Sequence, residues 1–327
     1  MSKPVALGID IGGTKTLCVL IDRRHRVLET VKFKTVEDGL APFRKHLLAS
    51  VRALKRKARD RRMKLVATGV GCAGTVDRQQ GNIKVSPNLL WLEGFQIGKM
   101  LKRELGTEVF LDNDVKCGIA AEWKLGAATG CSNVLGVFFG TGIGGAAVVN
   151  GKVYRGACGM GGQVGGILAQ PVGGPEAAQS HGILDRIASK AAIASEALVM
   201  AIKDWAPHLH REVDTDLTKV TWGALRRAIK RGDNRIDEML RARLRVVGIA
   251  LSSIVNFLNP EMVVLGGGLA HEMPRLLQRE VEDGMRDYLA PEVSEVLKVR
   301  IAKLRTDAVA LGAANEALEQ WLERQAS

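Results

Sequence analysis

Leu7 to Leu20 reads LGIDIGGTKTLCVL, and Leu135 to Val149 reads LGVFFGTGIGGAAVV. Each is an apolar, β-branched run, a turn of Gly and Thr, and a second apolar run. Two hairpins built alike in separate parts of one chain form a weak internal repeat and predict two similarly organised lobes. In the first, Gly12 and Gly13 remove the Cβ atoms that would hold an anion away from backbone N–H groups. Thr14 adds a hydroxyl and Lys15 a counter-charge. Asp10 ends an apolar strand and is costly to bury without a partner. Beside phosphates, a hydrated Mg²⁺ is a natural one. An ordinary hairpin turn would use the same residues.

The second turn, with Gly140, Thr141, Gly142 and Gly144, offers the same chemistry. A third glycine cluster, Gly266, Gly267 and Gly268, follows the strand VVL and precedes a helix, where backbone N–H groups can meet a nucleotide. Three such turns predict phosphate or nucleotide binding. The chain contains neither GxxxxGK[ST] nor a GxGxxG on a strand-to-helix turn, which excludes the two commonest nucleotide loops.

Around these turns the chain alternates strands and helices. Val5–Ile11, Thr16–Asp22 and Val27–Phe33 predict an antiparallel meander, with a helix over Val36–Asp60 and a strand at Leu65–Val70. Val109–Leu111 predicts a strand, followed by a helix near Val115–Leu125. Helices are expected over Ile183–Lys203, Trp222–Lys230 and Asp237–Leu258, the last apolar all round and therefore buried. A strand at Met262–Leu265, a helix near Met273–Leu289, a strand near Leu297–Ile301 and a helix from about Asp307 to Arg324 complete the pattern.

The 327 residues suit two lobes of ordinary size. Hydrophobic residues at 46% and charged residues at 25% exclude a disordered, collagen-like or coiled-coil chain. No window approaches the ~20 apolar residues of a membrane span, so no membrane partner is expected. The N-terminus runs straight into a strand pattern without a signal peptide. Cys18, Cys72, Cys117, Cys131 and Cys158 are dispersed without CxxC spacing, which predicts reduced thiols and a cytoplasmic protein. Lys and Arg outnumber Asp and Glu by 47 to 35, a formal net charge of +12. Much of the excess lies in RALKRKARDRRMK, Arg52 to Lys64. A solvated helix face explains it, and a polyanion-docking face would use it. The absence of interleaved aromatics argues against single-stranded nucleic acid.

The three turns, in this order, resemble those of sugar kinases of the ROK family (repressors, open reading frames and kinases), within the sugar kinase/actin/heat-shock-70 ATPase superfamily. DIGGTK resembles the first phosphate motif, GTGIGG the second, and the GGG at Gly266 the adenosine motif. The resemblance runs from Leu7 to about Ala314. It implies an α/β fold of two ribonuclease H-like lobes with mixed sheets flanked by helices and an active site in the interlobe cleft. The small lobe would hold residues 1–115 with about 305–327, and the large lobe residues 116–304. It also implies ATP and Mg²⁺ as cofactors, with Asp10 near the metal through water, and a homodimer. Family repressors carry a helix-turn-helix ahead of the first turn. Only nine residues precede Asp10, so no nucleic-acid partner is expected.

Ser86-Pro-Asn-Leu resembles the family's sugar-contacting segment, which would make Asn88 a sugar ligand. Leu111-Asp-Asn-Asp-Val resembles its catalytic segment, which carries sugar binding over to Asn113 and the general base to Asp114. A carboxylate at a strand end near phosphate-binding turns can take a proton from an attacking hydroxyl. The same Asn-Asp pair could simply cap the following helix, and both roles are compatible.

The chain also departs from the family. Where the family has HGxxGExGH, it reads Cys158-Gly-Met-Gly-Gly-Gln-Val-Gly-Gly166. Gln163 replaces the sugar-binding Glu, and Gly166 replaces a His that is also a zinc ligand. The zinc segment CxCGxxGC is missing, so no zinc site is expected. Asp185 stands where the family has a sugar-binding Glu. These changes leave the acceptor open among glucose, another hexose, an amino sugar and a bulkier substituted sugar. The resemblance implies ATP-dependent phosphorylation at a sugar hydroxyl, O6 by analogy. A polyphosphate-dependent kinase and a sugar-sensing protein that transfers nothing are the alternatives.

Overall fold

The computed structural model describes residues 2–35, 39–86, 89–170 and 181–326. The chain divides into two compact units. Unit 1 holds Met1–Gly130, Val153–Gly161 and Thr306–Ser327, and unit 2 holds Cys131–Lys152 and Gly162–Arg305.

Unit 1 opens with β1 (Lys3–Ile11), β2 (Lys15–Asp22) and β3 (Val27–Lys34), then α1 (Leu40–Asp60) and β4 (Met63–Cys72). A small hairpin, β5 (Thr75–Asp77) and β6 (Asn82–Val85), precedes α2 (Ile97–Leu105), β7 (Glu108–Asn113) and α3 (Asp114–Leu125). The sheet order is β3-β2-β1-β4-β7. The first three strands are antiparallel, and β4 and β7 run parallel to β1.

Strand alternation sorts the two faces of this sheet. Val5, Leu7, Ile9 and Ile11 join one core with Phe43, Leu47 and Leu54 of α1 and Leu101 of α2. The i, i+4, i+7 spacing on α1 gives that helix a buried stripe and leaves its cations outward. The other face is lined by glycine and receives the C-terminal helix, Ala308–Ala326. A Cβ on Gly8 would lie 1.9 Å from the Ala310 carbonyl oxygen, and one on Gly69 1.9 Å from that of Ala313. Only residues without side chains permit this approach.

Unit 2 contains β8 (Val134–Phe139) and β9 (Ile143–Val149); β10 (Lys152–Tyr154) begins at its Lys152 and runs into the Val153–Gly161 segment of unit 1, and α4 (Leu184–Ala188), α5 (Lys190–Ile202), α6 (Pro207–Val213), α7 (Trp222–Arg231) and α8 (Asn234–Leu258) follow in unit 2. Then come β11 (Met262–Gly266), α9 (Gly267–Glu272), α10 (Pro274–Arg286), α11 (Pro291–Val296) and β12 (Lys298–Ile301). The sheet order is β10-β9-β8-β11-β12, with β8 and β9 antiparallel and β11 parallel to β8 and β12. The core gathers Leu135, Val137, Val263 and Leu265 from the strands and Leu240, Leu244 and Leu251 from α8.

Three expectations change. The helix expected over Ile183–Lys203 is two helices, because Ser189 is extended and its side chain accepts from the Ala192 N–H to cap α5. The helix expected at Asp237 begins at Asn234 and is not buried all round: Ile249 and Phe257 are exposed. The helix expected from Val36 begins at Leu40, with residues 36–38 outside the described set.

Gly69→Ala should lower the unfolding free energy by about 3 kcal/mol, the upper end of ordinary overpacking. At Gly166 an added methyl meets nothing within 4 Å. Gly166→Ala should therefore stay within about 0.5 kcal/mol of wild type. Denaturant unfolding of both variants tests this, and equal midpoints would show that the helix does not press on the sheet.

Candidate active site

In unit 1, the first glycine turn is a hairpin between β1 and β2. Gly12 donates its N–H to the Lys15 carbonyl at 3.1 Å. Thr35 fastens the turn from the side: its hydroxyl donates to the Gly12 carbonyl at 2.7 Å and its N–H to that of Thr14 at 3.1 Å. Among the described residues, the N–H groups of Gly13 and Thr14 have no protein acceptor. They are the donors an anion would use.

Register places Asp10 opposite Gly71, and Gly71 opposite Asp112. One β-row therefore carries Asp10 and Asp112 on the same face, with Asn113 and Asp114 just beyond. Asn113 caps α3: its Oδ1 accepts from Val115 N at 3.0 Å and Lys116 N at 3.3 Å. Its Nδ2 donates to Asp114 Oδ1 at 2.9 Å and to the Gly74 carbonyl at 3.0 Å. Asp114 Oδ1 also accepts from Val115 N at 2.9 Å. Among the described residues, no other residue donates to Asp114 Oδ2. The capping role and a free carboxylate oxygen coexist.

Burial pushes the Asp10 carboxyl up to about 7, and the Asp114 carboxylate pushes the same way while Lys15 opposes it. Burial also raises Asp114, against hydrogen bonds from the Val115 N–H, its own N–H and Asn113 and the charge of Lys116. Two desolvated carboxylates with little compensating positive charge form a donor set that a divalent cation fits.

Sequence reading missed the support behind this pair. Arg155 Nε donates to Asp112 Oδ2 at 2.7 Å, and Arg155 Nη2 to Glu316 Oε2 at 2.9 Å. Asp112 Oδ1 accepts from Asn113 N at 2.9 Å. The Arg155 carbonyl accepts from Gly161 N at 2.8 Å, so the same residue closes the loop leading to the altered Cys158–Gly166 segment. A tie between residues 112, 155 and 316 leaves no local pattern in sequence.

In unit 2, the second turn repeats the first. Gly140 donates to the Gly142 carbonyl at 2.8 Å. Among the described residues, the N–H groups of Thr141 and Gly142 have no acceptor. The start of α5 fastens this turn, with Lys190 N on the Gly140 carbonyl and Ala191 N on that of Thr141, both at 3.3 Å. The helix break at Ser189 is what exposes those N–H groups. Asp185 Oδ1 accepts from Ile143 N at 2.5 Å. The expected sugar ligand Asp185 thus braces the glycine turn with one oxygen.

Gly144 lies on β9. Gln163 precedes the short 3-10 turn Val164–Gly166, its carbonyl accepting from Gly166 N at 3.3 Å. Gly266–Gly268 has a packing reason for each glycine. A Cβ there would lie 2.5 Å from Phe138 Cδ1, 2.4 Å from the Phe139 carbonyl oxygen and 2.8 Å from Trp222 Cδ1, respectively. Gly267 also has φ +87°. Asn88 lies outside the described residues. Among the described residues, no group of three or more His, Cys, Asp or Glu side chains is placed to hold a metal ion.

The profile of the ROK family matches residues 6–320. The chain belongs to the ROK family. It is 27% identical over 330 residues to a glucokinase of Halalkalibacterium halodurans, covering 99% of this chain and 96% of that one. The ROK hexokinase of Thermus thermophilus superposes with a TM-score of 0.81 at 31% identity, covering 99% of this chain and all of the other. A ROK glucokinase from Streptomyces griseus, solved with glucose and AMPPNP, gives a TM-score of 0.78 at 25% identity, covering 96% and 99%. The fold of this ROK protein is accordingly the actin-like ATPase fold.

Because the Asp10 carboxyl titrates near 7 in the ligand-free protein and near 3.8 ordinarily, its protonated form favours folding. That contribution is complete at low pH and is lost as pH rises through about 7. Ligand-free Asp10→Asn should therefore gain stability relative to wild type between pH 4.5 and 7.5. Thermal melts across that range decide it, and parallel curves would refute the shift.

Proposed function

We propose that this ROK protein is an ATP-dependent sugar kinase, glucokinase-like and acting at O6, with Asp114 as general base. The observation that carries the reading is the Asp114 carboxyl, held through Oδ1 by two donors with Oδ2 left to accept a proton. Desolvation raises its pKa, which makes it a stronger base toward a sugar hydroxyl. Asn113 orients it and keeps its second role at the start of α3. The family relatives named above as glucokinases and a hexokinase support the acceptor class.

Each glycine turn has two N–H groups free for phosphate oxygens, Gly13 and Thr14 in unit 1 and Thr141 and Gly142 in unit 2. Preorganised donors of this kind stabilise charge without reorganising during the reaction. Thr35, Asp185 and the start of α5 keep the turns rigid. When bound, Mg²⁺ would neutralise charge on the transferring phosphoryl group. Asp10 would hold it through water. Asn88, Asn113, Gln163 and Asp185 are the residues proposed to line the sugar, and Gly266–Gly268 the nucleotide.

A coupled ADP-release assay with MgATP across hexoses, amino sugars and N-acylated sugars tests the function. Asp114→Asn and Asp114→Ala should lose at least ~10²-fold in kcat. Both should melt no lower than wild type, since each removes a desolvated carboxylate beside Asp10. Near-wild-type turnover would remove Asp114 from the role. Turnover of no sugar in the panel would overturn the kinase reading.

The space beside Gly166 suits a substituent on the acceptor. Gly166→His should shift selectivity between substituted and unsubstituted hexoses by about tenfold or more. An unchanged ratio of kcat/KM values would show that the acceptor does not reach this position.

A further inference from the structure

Residues 40–64 and 97–105, which span α1 and α2, carry thirteen Lys and Arg against two acids, Asp60 and Glu104. That is +11 out of a chain total of +12. The remainder of the protein is therefore almost neutral, and its positive charge is a local feature of one helical layer.

The cations line two adjoining grooves. One, of about 340 Å³, is walled by Arg52, Lys55, Arg56, Arg59 and Lys64. The other, of about 390 Å³, includes Lys99 and Arg103. The Arg52–Glu104 ion pair, 2.7 Å long, joins them, since Arg52 lines the first and Glu104 the second. Among the described residues, Arg56, Arg59, Lys64, Lys99 and Arg103 have no carboxylate within ion-pair distance, and all five are exposed. From Arg44 to Arg59 the track follows α1 for roughly 22 Å. The first groove also lies at the end of the sheet opposite the glycine turn. Lys64 is seven residues before Gly71, the register partner of Asp10, or about 23 Å along the strand.

We propose that this face docks a linear polyphosphate chain. A track of that length with unneutralised cations on both grooves suits a chain of repeated charges better than a single small anion. Phe95 is the one aromatic residue among those lining either groove, so the stacking platform that single-stranded nucleic acid uses is missing. The stretch of chain held here is an anchor, about 23 Å along the strand from the register partner of Asp10.

The test is equilibrium binding of long-chain inorganic polyphosphate to the full-length protein between about 50 and 200 mM salt. Binding should weaken linearly on a log–log plot. The variant Lys55→Gln/Arg56→Gln/Arg59→Gln/Lys99→Gln/Arg103→Gln should lower the slope by about 3 and keep ATP-supported turnover. A charge-matched control, Lys203→Gln/Arg211→Gln/Lys230→Gln/Arg235→Gln/Arg275→Gln, should bind like wild type. On the wild-type protein, polyphosphate should shield Lys55, Lys64 and Lys99 from amine acylation and leave Lys203 and Lys230 reactive. That measurement stands even where the quintuple variant fails to fold. No binding at 150 mM salt, equal loss in the control, absence of the shielding, or tighter binding of single-stranded DNA or anionic vesicles would overturn the proposal.

Discussion

The contact between the C-terminal helix and the glycine-lined face of the unit 1 sheet governs the carboxylate cluster. Gly8 and Gly69 let the helix backbone touch the sheet backbone. Once it is seated, Glu316 on that helix reaches Arg155, and Arg155 reaches Asp112 on β7. Asp112 holds the Asn113 N–H, and Asn113 holds Asp114. A packing constraint at the centre of the sheet thus becomes a positional constraint at its end. The ion pairs alone would not achieve this, because partly buried pairs spend much of their Coulombic gain on desolvation. Their use here is geometric: a guanidinium fork fixes direction as well as distance.

The two units solve one problem twice. In each, a hairpin turn spends its first glycine N–H on a carbonyl within the turn and leaves the next two N–H groups free. The fastening differs. Thr35 holds the first turn, while Asp185 and the N–H groups opening α5 hold the second. A turn held at its carbonyls keeps its N–H groups aimed in one direction, which is what an anion site requires.

This difference marks what the sequence could tell. The hairpins, Asp10 at its strand end and the Asn113-Asp114 segment were legible because each is local: strand period, turn glycines and capping residues lie within a few positions of one another. The row that sets Asp10 beside Asp112 joins positions about a hundred residues apart and came only from the sheet register. The break at Ser189 was not, since Ile183–Lys203 has helical composition throughout and only the capped turn explains the interruption. Asp185 read as a sugar ligand by resemblance, and the structure adds a bond to Ile143 N that no local pattern announces. The glycines at 266–268 read as an approach path for a nucleotide, yet each is also required by Phe138, Phe139 or Trp222. Arg155 was invisible for a simpler reason. Its partners are 43 positions before it and 161 after it, and sequence spacing carries no information at that range.

Electrostatics divides unit 1 along its strands. At one end, desolvation pushes Asp10 and Asp114 toward their neutral forms, and the Asp114 charge adds to the effect at Asp10. At the other, exposed cations outnumber acids by more than six to one across residues 40–64 and 97–105. The Debye length at physiological salt is about 8 Å, so surface charges ~20 Å apart are largely screened from each other. The basic layer therefore does little to lower the Asp10 or Asp114 pKa values, and the carboxylates must find their compensation locally. Lys15 supplies part of it for Asp10 and Lys116 part of it for Asp114. The cations on α1 and α2 gain nothing from the site in return, which leaves their accumulation on one face to be explained by something outside the reaction.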